Sequence, residues 1–376
     1  MEVNKSVESE NNSINTRRDS QRGFTMLEMI VAIVIFLIIT ASIFGLLQVG
    51  RIDRNRSSRR SDMMKNARTA IHLIGRDALN AGLGYNKAGT KVPDGFLANR
   101  FSLPADTDLL RDNLSSVIAG NNLFDNDIQE DPTVKTDEIV FAYRDVDFNG
   151  GNAIIVGEPI AGGSSDTARV QTVTAGDAAA VNRYDLYMIE TGNSQVVVMA
   201  TDKVDNSTVD FAPTDPLGLN QAFDGAGSGA SLLRPCSVAI TSDCSTFNGA
   251  ATRINMKRVL LVAYKVKQDG TLVRLTYGNN TSKPADEQIQ EQPIAYGIKD
   301  MQFRYVLNDG KVMDNPTAGD DGILGSADDN PSNNNKVAQV TVTLKVASTE
   351  IDEQTGQPAV ITLTATFSTR NIQYDA

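Results

Sequence analysis

Histidine is almost missing from this 376-residue chain, and cysteine is scarce: His72 stands alone, and the two cysteines are Cys236 and Cys244. One histidine cannot build a multi-histidine zinc centre. It leaves serine–histidine catalysis only His72, which falls on a helical stretch rather than in a cleft. Cys-x-x-Cys is absent, so thiol redox chemistry has no motif to stand on. No phosphate-cradling glycine motif and no cofactor signature is present. An excess of positive charge is lacking as well. With 35 Lys and Arg against 46 Asp and Glu, the net charge is −11 and the pI about 4.7, which argues against general nucleic-acid binding. Paired carboxylates are plentiful, but in so acidic a chain they carry no specific signal. These absences predict a protein that is not an enzyme and requires no cofactor.

What the chain does have is one long apolar run. Phe24–Val49 is predominantly apolar, with a single charged residue, Glu28, near its start, and it follows a polar, charged leader, residues 1–23. At about 1.5 Å per residue the run covers a hydrocarbon core of roughly 30 Å. A secretory signal peptide fits poorly, because its apolar region is about 7–15 residues long and ends at a small-residue cleavage site. Here the small residue, Gly23, precedes the run. An ionisable group inside a membrane segment is costly, so Glu28 calls for a function.

Arg22-Gly23-Phe24-Thr25-Met26-Leu27-Glu28, heading that helix, resembles the type III signal of type IV prepilins and type II secretion pseudopilins. The resemblance implies cleavage by a prepilin peptidase between Gly23 and Phe24, methylation of the new N-terminal Phe24, and retention of the helix in the mature protein. Glu28 then acquires a partner. Cleavage creates an ammonium at Phe24, and a carboxylate one turn along is expected to meet the amine of an adjacent subunit rather than its own terminus. A matched pair recovers much of the several kcal/mol that a buried lone charge costs, and it sets register. Glu28 is therefore the expected assembly determinant. The basic residues beyond the helix, Arg51 to Arg68, would by the positive-inside rule place the C-terminal side in the cytoplasm. The cleavage signal requires the opposite, a cytoplasmic leader, and a large domain translocates largely regardless of charge. The basic run is better suited to anionic lipid head groups or acidic filament neighbours than to DNA.

The helical pattern continues past the membrane run. Met63, Ala67, Ala70, Ile71, Ile74, Ala78 and Ala81 recur at three- and four-residue spacing, with Arg68, Arg76, Asp77 and Asn80 as polar positions and Ala81-Gly82-Leu83-Gly84 as the stop. Residues 50–84 thus read as an amphipathic stalk, and His72 as a surface residue on it. Beyond it, 85–376 is β-rich, forming one large domain or two smaller lobes, since about 290 residues suffice for real cores. Strand patterns cover Asp137–Tyr143, Tyr184–Glu190, Gln195–Ala200, Val259–Lys267, Leu272–Tyr277, Met301–Leu307, Val340–Val346 and Ile361–Phe367, with Asp269-Gly270 as a hairpin turn. The fold class predicted is α+β, a long N-terminal helix followed by a mainly antiparallel sheet. The Gly/Asn/Asp/Ser-rich stretches 213–231 and 314–336 read as surface loops.

Ile74–Gly82, Val262–Val266, Gly270–Arg274, Gly297–Tyr305 and Thr369–Ile372 resemble, in that order, segments of PilW-type minor pilins, and the pseudopilin GspJ shares part of the pattern. The resemblance implies a minor pilin in the bacterial inner membrane and then at the pilus tip, with prepilin peptidase, other minor pilins and the major pilin as partners. The alternative is a pseudopilin of the type II secretion tip. In either setting the periplasm is oxidising, which favours a local Cys236–Cys244 disulfide. Two acidic stretches are calcium candidates. Asp145, Asp147 and Asn149 alternate as in the start of an EF-hand loop, although the twelfth position is Val156. Asp320, Asp321, Asp328 and Asp329 cluster in a second loop. An adhesive role for loops in 145–260 is compatible with the same placement.

Overall fold

The computed structural model describes residues 23–103, 112–129, 131–190, 195–225, 231–233, 254–324, 326, 328–352 and 355–370. The chain divides between Ser57 and Ser58 into two compact units. Helix α1, Met26–Asn80, begins in the first and ends in the second.

In the first unit the helix owes its start to local chemistry and its surface to its composition. Not one residue of Phe24–Val49 is buried. An exposed apolar surface of this extent marks a segment whose real environment is lipid or other apolar helices. The Ser42 hydroxyl donates to the Ile38 carbonyl at 2.9 Å, so it presents no unsatisfied polar group to such surroundings. The helix runs unbroken through Gly45.

In the second unit the expected α+β class is what the structure shows. The stripe Met63, Ala67, Ala70, Ile74, Ala78 and Ala81 is buried, Ile71 is half-buried, and His72 is exposed. Small residues dominate the stripe, which lets the helix lie close to the strands it covers. The approach is tightest at Gly75, where a Cβ would stand 2.3 Å from the Phe367 ring. The strand Ile254–Val266 organises the largest sheet. Its C-terminal half pairs with Leu272–Tyr277 and Thr136–Arg144, and its N-terminal half with Leu186–Glu190 and Ile154–Val156. A second sheet runs Val312–Met313, Ile298–Leu307, Val337–Ile351, Pro358–Ser368, all antiparallel. Its inward side chains Val340, Val342, Leu344 and Val346 are buried, while Thr341 and Thr343 meet Thr366 and Thr364 across the outer face at 2.8 and 3.1 Å. A third sheet joins Asp202–Asp205, Thr208–Phe211, Ala168–Gln171 and Ile160–Ala161.

Three cores result. One lies between α1 and the strands carrying Phe141, Tyr264, Phe303 and Val342. A second lies on the other face of the large sheet, closed by Phe96–Phe101, a six-residue helix. The third sits between the third sheet and the strands Leu186–Glu190 and Gln195–Met199. Two expectations need correction. Stretch 213–231 is not a plain surface loop: Leu217 and Leu219 pack into the second core and Phe223 into the third. The buried Asp215 carboxylate holds it by accepting from the amides of Leu217, Leu219 and Asn220 at 2.8–3.0 Å. Asp77, read as a polar outer position, is buried to 1 % exposure.

Candidate processing and assembly site

Gly23 and Phe24 precede α1 and are exposed, Phe24 to 87 %. A Cβ added at Gly23 would meet nothing within 4 Å, so the fold itself does not require glycine there. The helix opens with a capping box. The Glu28 amide donates to the Thr25 hydroxyl oxygen at 3.3 Å, and the Glu28 Oε2 atom accepts from the Thr25 amide at 2.9 Å and from its hydroxyl at 3.0 Å. Glu28 therefore reaches back within its own chain. It reaches Thr25, however, and not the nitrogen of Phe24. One oxygen carries these bonds; Oε1 makes none with any described residue. The signal for the box, Thr-x-x-Glu ahead of an apolar run, lies in the sequence, though the role of Thr25 was not read from it.

A second polar arrangement ties the stalk to the sheet. Asp77 Oδ2 accepts from Arg274 Nε at 2.7 Å and from the Tyr264 hydroxyl at 2.6 Å. Its Oδ1 accepts from the Tyr143 hydroxyl and from Arg76 Nε, both at 3.2 Å. Burial pushes the Tyr143 hydroxyl up to about 12, so it stays a donor at neutral pH. These residues come from α1, Thr136–Arg144, Ile254–Val266 and Leu272–Tyr277, four elements joined at one carboxylate. A buried charge is tolerated only when paired and fully hydrogen-bonded, as this one is.

Two neighbouring acids are buried on opposite faces of the Thr136–Arg144 strand. Asp137 accepts from the amides of Asn122 and Phe303 at 2.8 and 2.7 Å, and joins the large sheet to the second one. Glu138 Oε2 is buried with no hydrogen-bond partner among the described residues. Burial pushes Asp137 up to about 7 and Glu138 up to about 8. Both bind a proton more tightly folded than unfolded. Their contribution is therefore complete below about pH 4 and is lost as pH rises through 7 and 8. Melting temperature is expected to fall between pH 6 and 9, and Glu138→Gln to flatten that fall. The ionised glutamate costs on the order of 3–5 kcal/mol at pH 9. Thermal melts of both proteins across this range check it.

The acidic loops are held by the chain's own donors. Asp145 Oδ2 accepts from Arg258 Nη2 at 2.5 Å and Nε at 2.9 Å, and its Oδ1 caps the Asp147 amide at 3.0 Å. Asp147 and Asn149 are exposed, while Phe148 between them is buried beneath the Arg258 guanidinium. In the second loop Asp328 Oδ2 accepts from the amides of Asp320 and Asp321, and Lys311 Nζ meets both oxygens of Asp320 at 2.7 and 2.8 Å. Among the described residues no three His, Cys, Asp or Glu side chains form a metal-holding group. Cys236 and Cys244 lie outside the described residues, as does the leader up to residue 22.

Residues 18–44 match the family described as the prokaryotic N-terminal methylation motif. The chain carries a prepilin-type methylation motif. The match spans Gly23 and Phe24, which precede α1, and Thr25 and Glu28, which cap its start. No curated protein matches the chain. The motif and the helix behind it support a type IV pilin-like protein, a pilin or pseudopilin processed by prepilin peptidase, anchored in a membrane and associated with a pilus. The motif's family is structural rather than enzymatic.

Proposed function

We propose that this chain is a PilW-like minor pilin of the type IV pilus. It is held in the bacterial inner membrane by Phe24–Val49, with the leader in the cytoplasm and the domain in the periplasm. Prepilin peptidase cuts after Gly23, and the subunit joins other minor pilins and the major pilin in the complex that initiates or caps the filament. The observation that carries this reading is the helix start: a Gly-Phe-Thr-x-x-Glu signal whose glutamate uses one oxygen to cap its own helix and leaves the other open. That open oxygen suits the Phe24 amine of a neighbouring subunit. The reading gains support from the PilW-like segments, three of which (Ile74–Gly82, Val262–Val266 and Gly270–Arg274) supply Asp77, Tyr264 and Arg274 to one bonded cluster. The large β domain suits a tip position better than repeated packing along a shaft. Deleting the gene is expected to remove surface pili and pilus-dependent motility, with the protein itself recovered in trace amounts from sheared filaments. Normal piliation with a block in protein secretion would assign the chain to the type II secretion pseudopilus instead. Calcium in the acidic loops remains a proposal, resting on the alternating oxygen ligands at 145–149 and the carboxylate density at 320–329; its signature is a melting temperature that rises at millimolar calcium.

A further inference from the structure

The second sheet ends on Pro358–Ser368, an 11-residue strand that pairs with Val337–Ile351 on one side and with no described strand on the other. An edge of this length is normally guarded by charge, proline, a bulge or brevity, because its open row of N–H and C=O groups templates another strand. Other edges of this protein are guarded. Ile289–Ala295 carries Glu291 and Pro293, Asp202–Asp205 is mostly charged, and Val312–Met313 and Ile160–Ala161 have two residues each. Pro358–Ser368 has no such guard. Its one proline is its first residue, and no charge occurs between Glu353 and Arg370 in a chain that is 22 % charged.

The direction of each backbone group follows from the two ends of the strand. The Ala359 amide donates to Ser348 Oγ at 3.0 Å and the Thr369 amide to the Ala338 carbonyl at 2.9 Å, both toward the neighbouring strand. By alternation, Val360, Thr362, Thr364, Thr366 and Ser368 turn their N–H and C=O groups to the open side. The inward row, from Ala359 to Phe367, is only half-buried against the α1 core, whereas Val340, Val342, Leu344 and Val346 beside it are fully buried. A further strand would bond the open row and cover the flank of the inward one.

A second copy of the same edge does not fit. Within the second unit the strand runs in the direction of α1: Arg59 binds Glu350 and the Ile351 carbonyl near Pro358, Gly75 touches Phe367, and the Arg370 amide donates to the Ala81 carbonyl. Antiparallel self-pairing would bring the two chains into the joint sheet from opposite ends, which two chains anchored in one membrane cannot do. Parallel self-pairing about a two-fold axis along the strand would turn the second copy's apolar row onto the threonine face.

We propose that the Pro358–Ser368 edge is completed by a β-strand from a different protein of the same assembly. That strand is uncharged, with apolar residues toward α1 and small polar residues on the threonine face. The proposal rests on reading the chain as a membrane-anchored pilus subunit.

The test places the photo-crosslinker p-benzoylphenylalanine at Val360 of the full-length chain in its own cells, with the same probe at Lys203 as background. Irradiation is expected to give one adduct, to an uncharged segment of a protein other than this chain. Thr362→Pro removes an N–H from the open side alone, and Thr364→Lys adds the missing guard on an exposed position. Each should lower the adduct yield about tenfold while melting within a few degrees of the parent. An adduct to a second copy, or one that neither substitution lowers, would overturn the proposal. So would the lack of an adduct in cells that process the chain at Gly23 and assemble normal filaments, and there the pilin reading would stand. A chain left uncut at Gly23 would overturn that reading and the proposal together.

Discussion

Glu28→Ala is expected to be cleaved and methylated much like the parent protein yet to enter filaments at least tenfold less. An ammonium left unpaired in an apolar helix bundle costs several kcal/mol, and every 1.4 kcal/mol is tenfold in an equilibrium. The capping box makes this result ambiguous by itself, because alanine removes the helix cap together with the charge. Glu28→Gln separates the two. Glutamine serves as well as glutamate in a capping box, so the bonds to Thr25 are kept while the negative charge is lost. If the charge docks the neighbouring Phe24 amine, Gln fails as Ala does. Assembly of the Gln variant at the parent level would reduce Glu28 to a helix cap. Quantitative blotting of sheared filaments against total processed protein makes the comparison.

The second large effect is on stability. Asp77→Ala leaves Arg274 half-buried opposite two tyrosine hydroxyls with no carboxylate, and removing one member of a buried pair costs about 3–5 kcal/mol. For a domain of this size that corresponds to a melting temperature lower by about 10 °C. The double variant Asp77→Ala/Arg274→Ala should lose less than the sum of the two single losses, because the second truncation removes the charge stranded by the first. Strict additivity would mean that Asp77 and Arg274 are not coupled. Thermal melts of the four full-length proteins in detergent close the cycle.

The helix and its polar anchor were unequally legible in the sequence. The apolar run, the small-residue stripe and the glycine stop at 82–84 delimit α1 closely, because a 3.6-residue period over many turns has no competing reading. Val340–Val346 and Ile361–Phe367 were equally plain, since alternation with threonine describes a sheet wet on one face. Ile289–Ala295 could not be read, because Pro293 and Glu291 suit an edge strand but break the apolar alternation that signals a strand. Val117–Phe124 was hidden by Gly120-Asn121-Asn122 in its middle. Stretch 213–231 has loop composition, yet its few apolar residues are the ones that pack, and composition does not report which residues those are. Asp77 is the instructive miss. It lies seven residues after Ala70 and three after Ile74, on the buried stripe itself, so its position pointed inward while its charge suggested the opposite. The partners that make burial tolerable, Tyr143, Tyr264 and Arg274, come from strands 66 to 197 residues away, and no local pattern links them. The start of α1 was the reverse case. Gly23 has no structural duty in the fold, so its meaning lies in the motif.

The most direct test of the whole account is the mass of the mature N-terminus. Protein purified from membranes of cells with active prepilin peptidase should begin at Phe24, with one methyl group on its amine. A chain that still begins at Met1 in those cells would contradict the account, and with it the roles given to Gly23, Phe24 and Glu28.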